Sequence, residues 1–241
     1  MTFMKRKKVG DRISMVTSGW SFDHLNKKFD SHIIRSVPFY GEFHKISLKL
    51  SEFFVGDETT FLDIGCSTGT LLKDFAKKYP KKEYDMNFLG IDPVLSMIKN
   101  AKKKNLDKRV KLYQKSLLDL KFKNVDFITS ILTMQFIHTS KRQKAYEIIF
   151  KSLKKGGAFL VFEKIRAENS KFEDINTGVY FDFKRSNGFS EEEINQKALS
   201  LRGKMECFTS NENTKYLKKA GFSKISNVFK WFCFEGKLCI K

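Results

Sequence analysis

The stretch FLDIGCSTGTLL (61–72) sets an apolar run, Phe61 to Ile64, against two glycines, a cysteine and three small hydroxyl residues. An apolar run ending in glycine and followed by TLLKDFAKKY reads as a buried strand that turns tightly into an amphipathic helix. The same grammar repeats along the chain. TTFLDIG (59–65), NFLGID (87–92), VKLYQK (110–115), VDFITSIL (125–132) and GGAFLVFEKI (156–165) are short apolar runs. Helical patterns separate them, among them PVLSMIKNAKKK and a helix from about Ser140 to Leu153. Apolar strands alternating with amphipathic helices predict an α/β fold: a doubly wound, mainly parallel sheet with helices on both faces.

Outward from this unit, residues 1–19 are polar and expected to be loosely ordered. The remainder, 20–241, reads as one domain. Its segment 20–55 is a helical cap, interrupted at Val37-Pro38, where proline and the restriction on its predecessor break a helix. Residues 166–206 are polar and helical, an insertion of the kind that covers an active site. A helix from Asn211 to Ala220 precedes SKISNVFKW and CFEGKLCIK, expected to form an antiparallel pair at the sheet edge that turns at Glu235-Gly236. Three helix starts carry local signals. Asp92-Pro93 supplies an N-cap acceptor before a first-turn proline. Ser140 to Gln143 and Ser190 to Glu193 fit capping boxes.

The chain of 241 residues carries 46 Lys and Arg against 27 Asp and Glu, a net charge of +19. Contact with a polyanion such as RNA is one reading of that excess. The lysines are spread along the chain rather than gathered in one patch, so solvated faces account for them as well. The four cysteines (Cys66, Cys207, Cys233, Cys239) show no metal spacing and read as reduced thiols of a cytoplasmic protein. No apolar run is long enough to span a bilayer, and no apolar stretch follows the basic start to make a secretory signal. A homo-oligomer is left open.

An open parallel sheet binds ligands at the carboxyl ends of its strands, near the switch in strand order. FLDIGCSTGTLL lies there, with the helix opening near Thr70. Gly65 and Gly69 let the backbone turn and approach a ligand. Their spacing is not the dinucleotide fingerprint, and suits a ligand with a less anionic middle section. Asp92 ends the second strand, 27 residues after Gly65, where a carboxylate accepts hydrogen bonds from both ribose hydroxyls. Together these elements favour a nucleoside ligand. His138, after strand four, is a candidate general base, set against a structural role. Lys184 and Arg185 are candidates for an anionic substrate, set against a solvated helix face. Cys66 reads as a small buried filler. Trp20, Phe22 and Phe39 are expected to pack the N-terminal helices, and Met97 and Phe159 to lie in the core.

LDIGCSTG and LGIDPVLSMI resemble the S-adenosylmethionine-binding motifs of class I methyltransferases. WSFDHLNKKFDSHIIRSVPFY (20–40), LTMQFIHTSKRQ (132–143), LKKGGAFLVFEKI (153–165), FDFKRSNGFSEEEINQK (181–197) and LKKAGFSKI (217–225) narrow the resemblance to the carboxy-S-adenosylmethionine synthase family. That family uses S-adenosylmethionine and prephenate, attaches a carboxylate to the cofactor's methyl carbon, and serves wobble-uridine modification in transfer RNA. The resemblance implies a strand order of 3-2-1-4-5-7-6. It also implies cofactor contacts from Tyr40, Gly65, Cys66, Ser67, Gly69 and Asp92, and from Pro93, Ser116, Leu117 and Ile131.

Four of the family's positions differ here. Pro93 stands for an asparagine, Ser116 for an acidic residue, Ile131 for an asparagine, and Ala198 for the arginine that grips the added carboxylate. Arg202, one helical turn on, is the candidate replacement. Catalytic candidates are therefore Tyr40, His138 and Arg202. Loss of the guanidinium at Ala198 tips the expectation toward S-adenosylmethionine-dependent methyl transfer to a small molecule. Carboxy-S-adenosylmethionine synthesis is the alternative, and a non-catalytic RNA-binding scaffold a further one.

Overall fold

The computed structural model describes residues 7–8, 14–15, 29–104 and 106–241. Two short strands, β1 (Lys7–Lys8) and β2 (Ser14–Met15), pair antiparallel within the segment expected to be loosely ordered. Trp20, Phe22 and the first part of the expected cap lie outside the described residues. Two helices then flank the Val37-Pro38 break, α1 (Phe29–Ser36) and α2 (Tyr40–Ser51).

The apolar runs are strands, with the predicted bounds holding to within a few residues. They are β3 (Thr60–Ile64), β4 (Asn87–Asp92), β5 (Val110–Gln114), β6 (Val125–Ile131) and β7 (Leu153–Lys164). Helices α3 (Thr70–Lys78), α4 (Leu95–Lys102) and α5 (Thr139–Ser152) separate them. The insertion forms α6 (Ser170–Ser186) and α7 (Glu191–Leu201), followed by α8 (Ser210–Ala220), β8 (Lys224–Trp231) and β9 (Phe234–Ile240). The seven-stranded sheet runs β5-β4-β3-β6-β7-β9-β8, which is the order the resemblance implies. The first five strands are parallel; β9 is antiparallel to both β7 and β8.

The inner strands β3, β4, β6 and β7 are largely apolar because both faces of the sheet are covered there. Alternation along β3 sends Phe61 to one face and Leu62 and Ile64 to the other. On the first face Phe61 stacks on Phe75 of α3 at 3.7 Å, and Phe43 of α2 stacks on Phe162 of β7 at 4.5 Å. The opposite face is filled by Tyr146 and Ile149 of α5 and by Phe159 and Phe222. Phe159 and Met97 are buried as predicted. Phe39 instead tilts against Phe229 and Trp231 of β8, at 5.9 and 6.1 Å, so it packs on the sheet edge rather than between the N-terminal helices.

Several local expectations are corrected. The turn between β8 and β9 falls at Phe232-Cys233, and Glu235-Gly236 lies inside β9. A side chain at Gly236 would press on Phe162 Cδ1 at 2.7 Å, so this glycine serves packing rather than a turn. Asp92-Pro93 does not cap α4, which starts at Leu95 after Val94. At α5 the cap is His138, whose Nδ1 accepts from the Ser140 N–H at 3.3 Å and displaces the expected box at Ser140. The Ser190–Glu193 capping box is present, and a second one, Thr209–Glu212, opens α8. Thr209 is buried, so Thr209→Ala should cost about 1 kcal/mol of stability in a urea titration.

Candidate functional site

The turn after β3 is pinned to the end of β4. The N–H groups of Gly65 and Cys66 both donate to the Ile91 carbonyl, at 2.8 and 3.0 Å. Gly65, Ser67 and Gly69 all take positive φ, at 73°, 49° and 74°. The left-handed residue Gly69 heads α3, and its N–H closes the turn on the Cys66 carbonyl at 2.8 Å. Asp92 sits against this turn. One carboxylate oxygen accepts the Ser67 N–H at 3.0 Å, and the other accepts the Val94 N–H at 2.9 Å. Burial pushes its carboxyl above the usual range, opposed by those two hydrogen bonds. Each oxygen keeps a lone pair for a ligand hydroxyl.

A cavity of about 400 Å³ opens at this point, within the range of roughly 300–1,000 Å³ usual for small-molecule sites. Tyr40, Gly65, Ser67, Asp92, Pro93 and Ile131 line it, six of the residues named from the sequence. Cys66 is buried and faces a small adjoining cavity that shares Tyr40 and Gly65. Burial drives its thiol up, so it stays protonated. Gly69 shapes the turn without lining either cavity. Ser116 and Leu117 line neither. The Ser116 hydroxyl accepts the Leu118 N–H at 3.2 Å within its own turn, and the apolar Leu117 joins the core. His138 lies outside both linings, with its Nδ1 occupied by the head of α5.

The cap and the insertion close the cavity together. Tyr180 of α6 donates to the Ser36 carbonyl at 2.9 Å, and Arg35 of α1 donates to the Asn187 carbonyl at 2.6 Å. Asp30 of α1 accepts from Thr68 and from Lys104, both at 2.6 Å, which seats α1 on the turn after β3. Ala198 and Arg202 both line the cavity from α7, as their one-turn spacing requires. Lys184 and Arg185 are separated. Lys184 is buried and lines the cavity, whereas Arg185 is exposed and pairs with Asp182 and Glu191.

Sequence reasoning did not name Lys164, Lys197 or Asp63. Lys164 ends β7, so the carboxyl-end rule that located Asp92 could have found it. Lys197 adjoins Ala198 on α7. Asp63, on β3, faces the small cavity and accepts the Thr129 hydroxyl at 2.8 Å. Burial raises its carboxyl to about 7.

The main cavity is thus electrically lopsided. Among the described lining residues Asp92 is the one carboxylate, against Lys164, Lys184, Lys197 and Arg202. Its walls are otherwise largely apolar, with Met97, Ile131, Leu132 and Phe136 beside the carboxylate-bearing turn. A ribose diol on Asp92 with an apolar base beside it fits these residues. Among the described residues no group of His, Cys, Asp and Glu is arranged to hold a metal, and no helix is long and apolar enough to cross a membrane.

Comparison with known proteins agrees with this geometry. Residues 61–157 match the family model described as a methyltransferase domain. The carboxy-S-adenosyl-L-methionine synthase of Staphylococcus epidermidis is 38% identical over 224 residues, covering 92% of this chain and 97% of the relative. The synthase of Nautilia profundicola is 37% identical over 88% of this chain and 90% of its own length. Among solved structures, an O-methyltransferase family protein from Burkholderia thailandensis superposes with a TM-score of 0.64 at 14% identity, over 90% of this chain and 60% of that one. That likeness is one of fold. The match to the synthases runs through cap, sheet and insertion alike, and so the chain is an S-adenosylmethionine-dependent transferase of the class I methyltransferase fold that belongs to the carboxy-S-adenosyl-L-methionine synthase family.

Proposed function

We propose that this chain carboxylates S-adenosylmethionine, with prephenate as the carboxylate donor, and that its product serves wobble-uridine modification in transfer RNA. The observation that carries this reading is the charge of the cavity: Lys164, Lys197 and Arg202, joined by Lys184 when it is protonated, against one carboxylate among the described lining residues. The cofactor supplies a methyl group on a positively charged sulfur. A cavity this cationic repels such a group when it is alone, and in a partly desolvated site that repulsion is weakly screened. A ligand bearing carboxylates reverses the sign. Asp92 and the turn at Gly65 to Gly69 hold the ribose end, while Tyr40, Ile131 and Leu132 border the space toward α6 and α7. Lys184 of α6, Lys197 of α7 and Arg202 at the end of α7 supply three of the cations, and Lys164 at the end of β7 the fourth.

The second reading, methyl transfer to a small molecule, is favoured by one observation: Ala198 lines the cavity where the family places its guanidinium. Mass spectrometry of the ligand released from purified protein separates the two. The carboxylated cofactor is expected. Release of only S-adenosylmethionine or its demethylated product, with no carboxylated cofactor formed when prephenate is added, would instead support methyl transfer.

A further inference from the structure

Lys184 is an unusual lysine. The residue is only 6% exposed, yet its ammonium makes no hydrogen bond or ion pair among the described residues. Instead it lies over the ring of Tyr180 at 4.1 Å and near that of Phe181 at 5.7 Å. Two aromatic faces offset part of the desolvation cost of a buried cation but do not replace an anion. The groups around it sharpen the problem. Lys164 approaches from β7, with its own ammonium 5.1 Å from the Tyr180 ring. Lys197 approaches from α7 and is held by His32 Nε2 at 2.7 Å. From the β8–β9 turn comes the Cys233 thiol, which burial keeps protonated. The one carboxylate among the described lining residues, Asp92, is engaged by the Ser67 N–H on the turn after β3 and makes no ion pair with Lys184.

We propose that Lys184 is the carboxylate ligand of this cavity, standing in for the guanidinium that Ala198 does not supply. The ligand class is a small organic carboxylate, brought either by the free donor or as the carboxylate already attached to the cofactor. The assignment rests on the synthase reading above for the identity of that ligand, and on the buried, unpaired ammonium for its position. Lys184 serves better than Arg202 on physical grounds. Arg202 caps the end of α7 and is exposed, so water screens any ion pair it makes. An ion pair at Lys184 forms on a largely buried residue between aromatic rings, where it is less screened than at an exposed helix end.

The site also carries a proton linkage. Burial, joined by the charges of Lys197 and Lys164, pulls the Lys184 ammonium down to about 7, with Cys233 opposing. An empty cavity therefore holds Lys184 largely neutral above pH 7, and a bound carboxylate restores its proton. Binding of the carboxylate takes up a proton in this range, so its affinity falls as pH rises, by at most about ten-fold per pH unit.

Calorimetry on the full chain tests this, with S-adenosylmethionine, carboxy-S-adenosylmethionine and prephenate as probes in two buffers of different ionisation heat. Wild type should take up most of a proton at pH 8 with a carboxylated probe and none with S-adenosylmethionine. Prephenate binding with this uptake assigns Lys184 to the free donor, and uptake with the carboxylated cofactor alone assigns it to the product. Lys184→Met should weaken the carboxylated probe about ten-fold or more, abolish the proton uptake, and leave S-adenosylmethionine within two-fold. Lys184→Gln should show the same loss, and it replaces the methionine variant if that one does not fold. Unchanged carboxylate affinity and proton uptake in these variants overturns the assignment, as does a loss confined to Arg202→Met. If Lys184 binds a carboxylate while the methyl group is transferred intact, the synthase reading falls and the assignment stands. Wild type that binds neither carboxylated probe sinks both.

Discussion

Replacing Asp92 by alanine should weaken S-adenosylmethionine binding by about 2 kcal/mol or more, the scale for losing charge-assisted hydrogen bonds in a partly dry site. Two effects add in this variant. On the proposed binding mode the ligand loses its acceptor for the ribose hydroxyls. The turn after β3 also loses the carboxylate that accepts the Ser67 and Val94 N–H groups, at 3.0 and 2.9 Å. Those donors would be left to water or to nothing, so the loop that shapes the cavity loosens with the ligand's anchor. Asp92→Asn separates the contributions. Its single carbonyl oxygen can keep one backbone N–H, while the amide nitrogen offers no acceptor to either the second N–H or a hydroxyl. Calorimetry should place Asp92→Asn between wild type and alanine, with a smaller drop in melting temperature. Wild-type affinity in both variants would remove Asp92 from the cofactor site.

Gly65→Ala should destabilise the protein by about 2–4 kcal/mol, the sum of a left-handed backbone penalty and overpacking. At φ 73° the backbone tolerates a side chain poorly. The added carbon would overlap Thr133 Oγ1 and come within 2.7 Å of Thr133 Cγ2 and 2.9 Å of Cβ. Thr133 opens the turn after β6, whose strand is β3's parallel neighbour, so neither wall can retreat without moving a central strand. The double variant Gly65→Ala/Thr133→Ala removes the two outer atoms and leaves the Cβ clash and the φ penalty. It should recover part of the loss in a denaturant titration, not all of it. Full recovery would mean that neither backbone conformation nor the Thr133 Cβ contact contributes at Gly65, and no recovery would exclude a contribution from the clash with Thr133 Oγ1 and Cγ2.

The inner strands were legible because each is buried on both faces and so reads as a nearly unbroken apolar run between helical patterns, whereas the edge strand β5 buries no residue. NFLGID appears in the fold with its bounds intact. The switch point follows from that order, since β3 has β4 on one side and β6 on the other, and Gly65 and Asp92 lie at its mouth. Short polar signals were less dependable. Glu235-Gly236 resembles a hairpin turn, yet the close approach of Phe162 to β9 decides that glycine's place. Ser140 resembles a cap, yet the helix starts at Thr139 and His138, two residues before Ser140, takes the capping position. In each case two residues satisfy the local rule and packing chooses between them.

The site divides along the same line. The half built from consecutive residues, the turn from Gly65 to Gly69 with Asp92 on the neighbouring strand, is a property of local sequence and strand order. The sequence by itself determined it. The other half is assembled from β7, α6 and α7, and the positions of Lys164, Lys184, Lys197 and Arg202 along the chain say nothing of their meeting. Lys184 and Arg185 are adjacent and chemically alike, yet helical rotation buries one in the cavity and leaves the other among surface carboxylates. Charge at a position is written in sequence. Whether that charge is solvated or dry depends on which helix face the insertion turns inward over the sheet, and only the tertiary structure decided that.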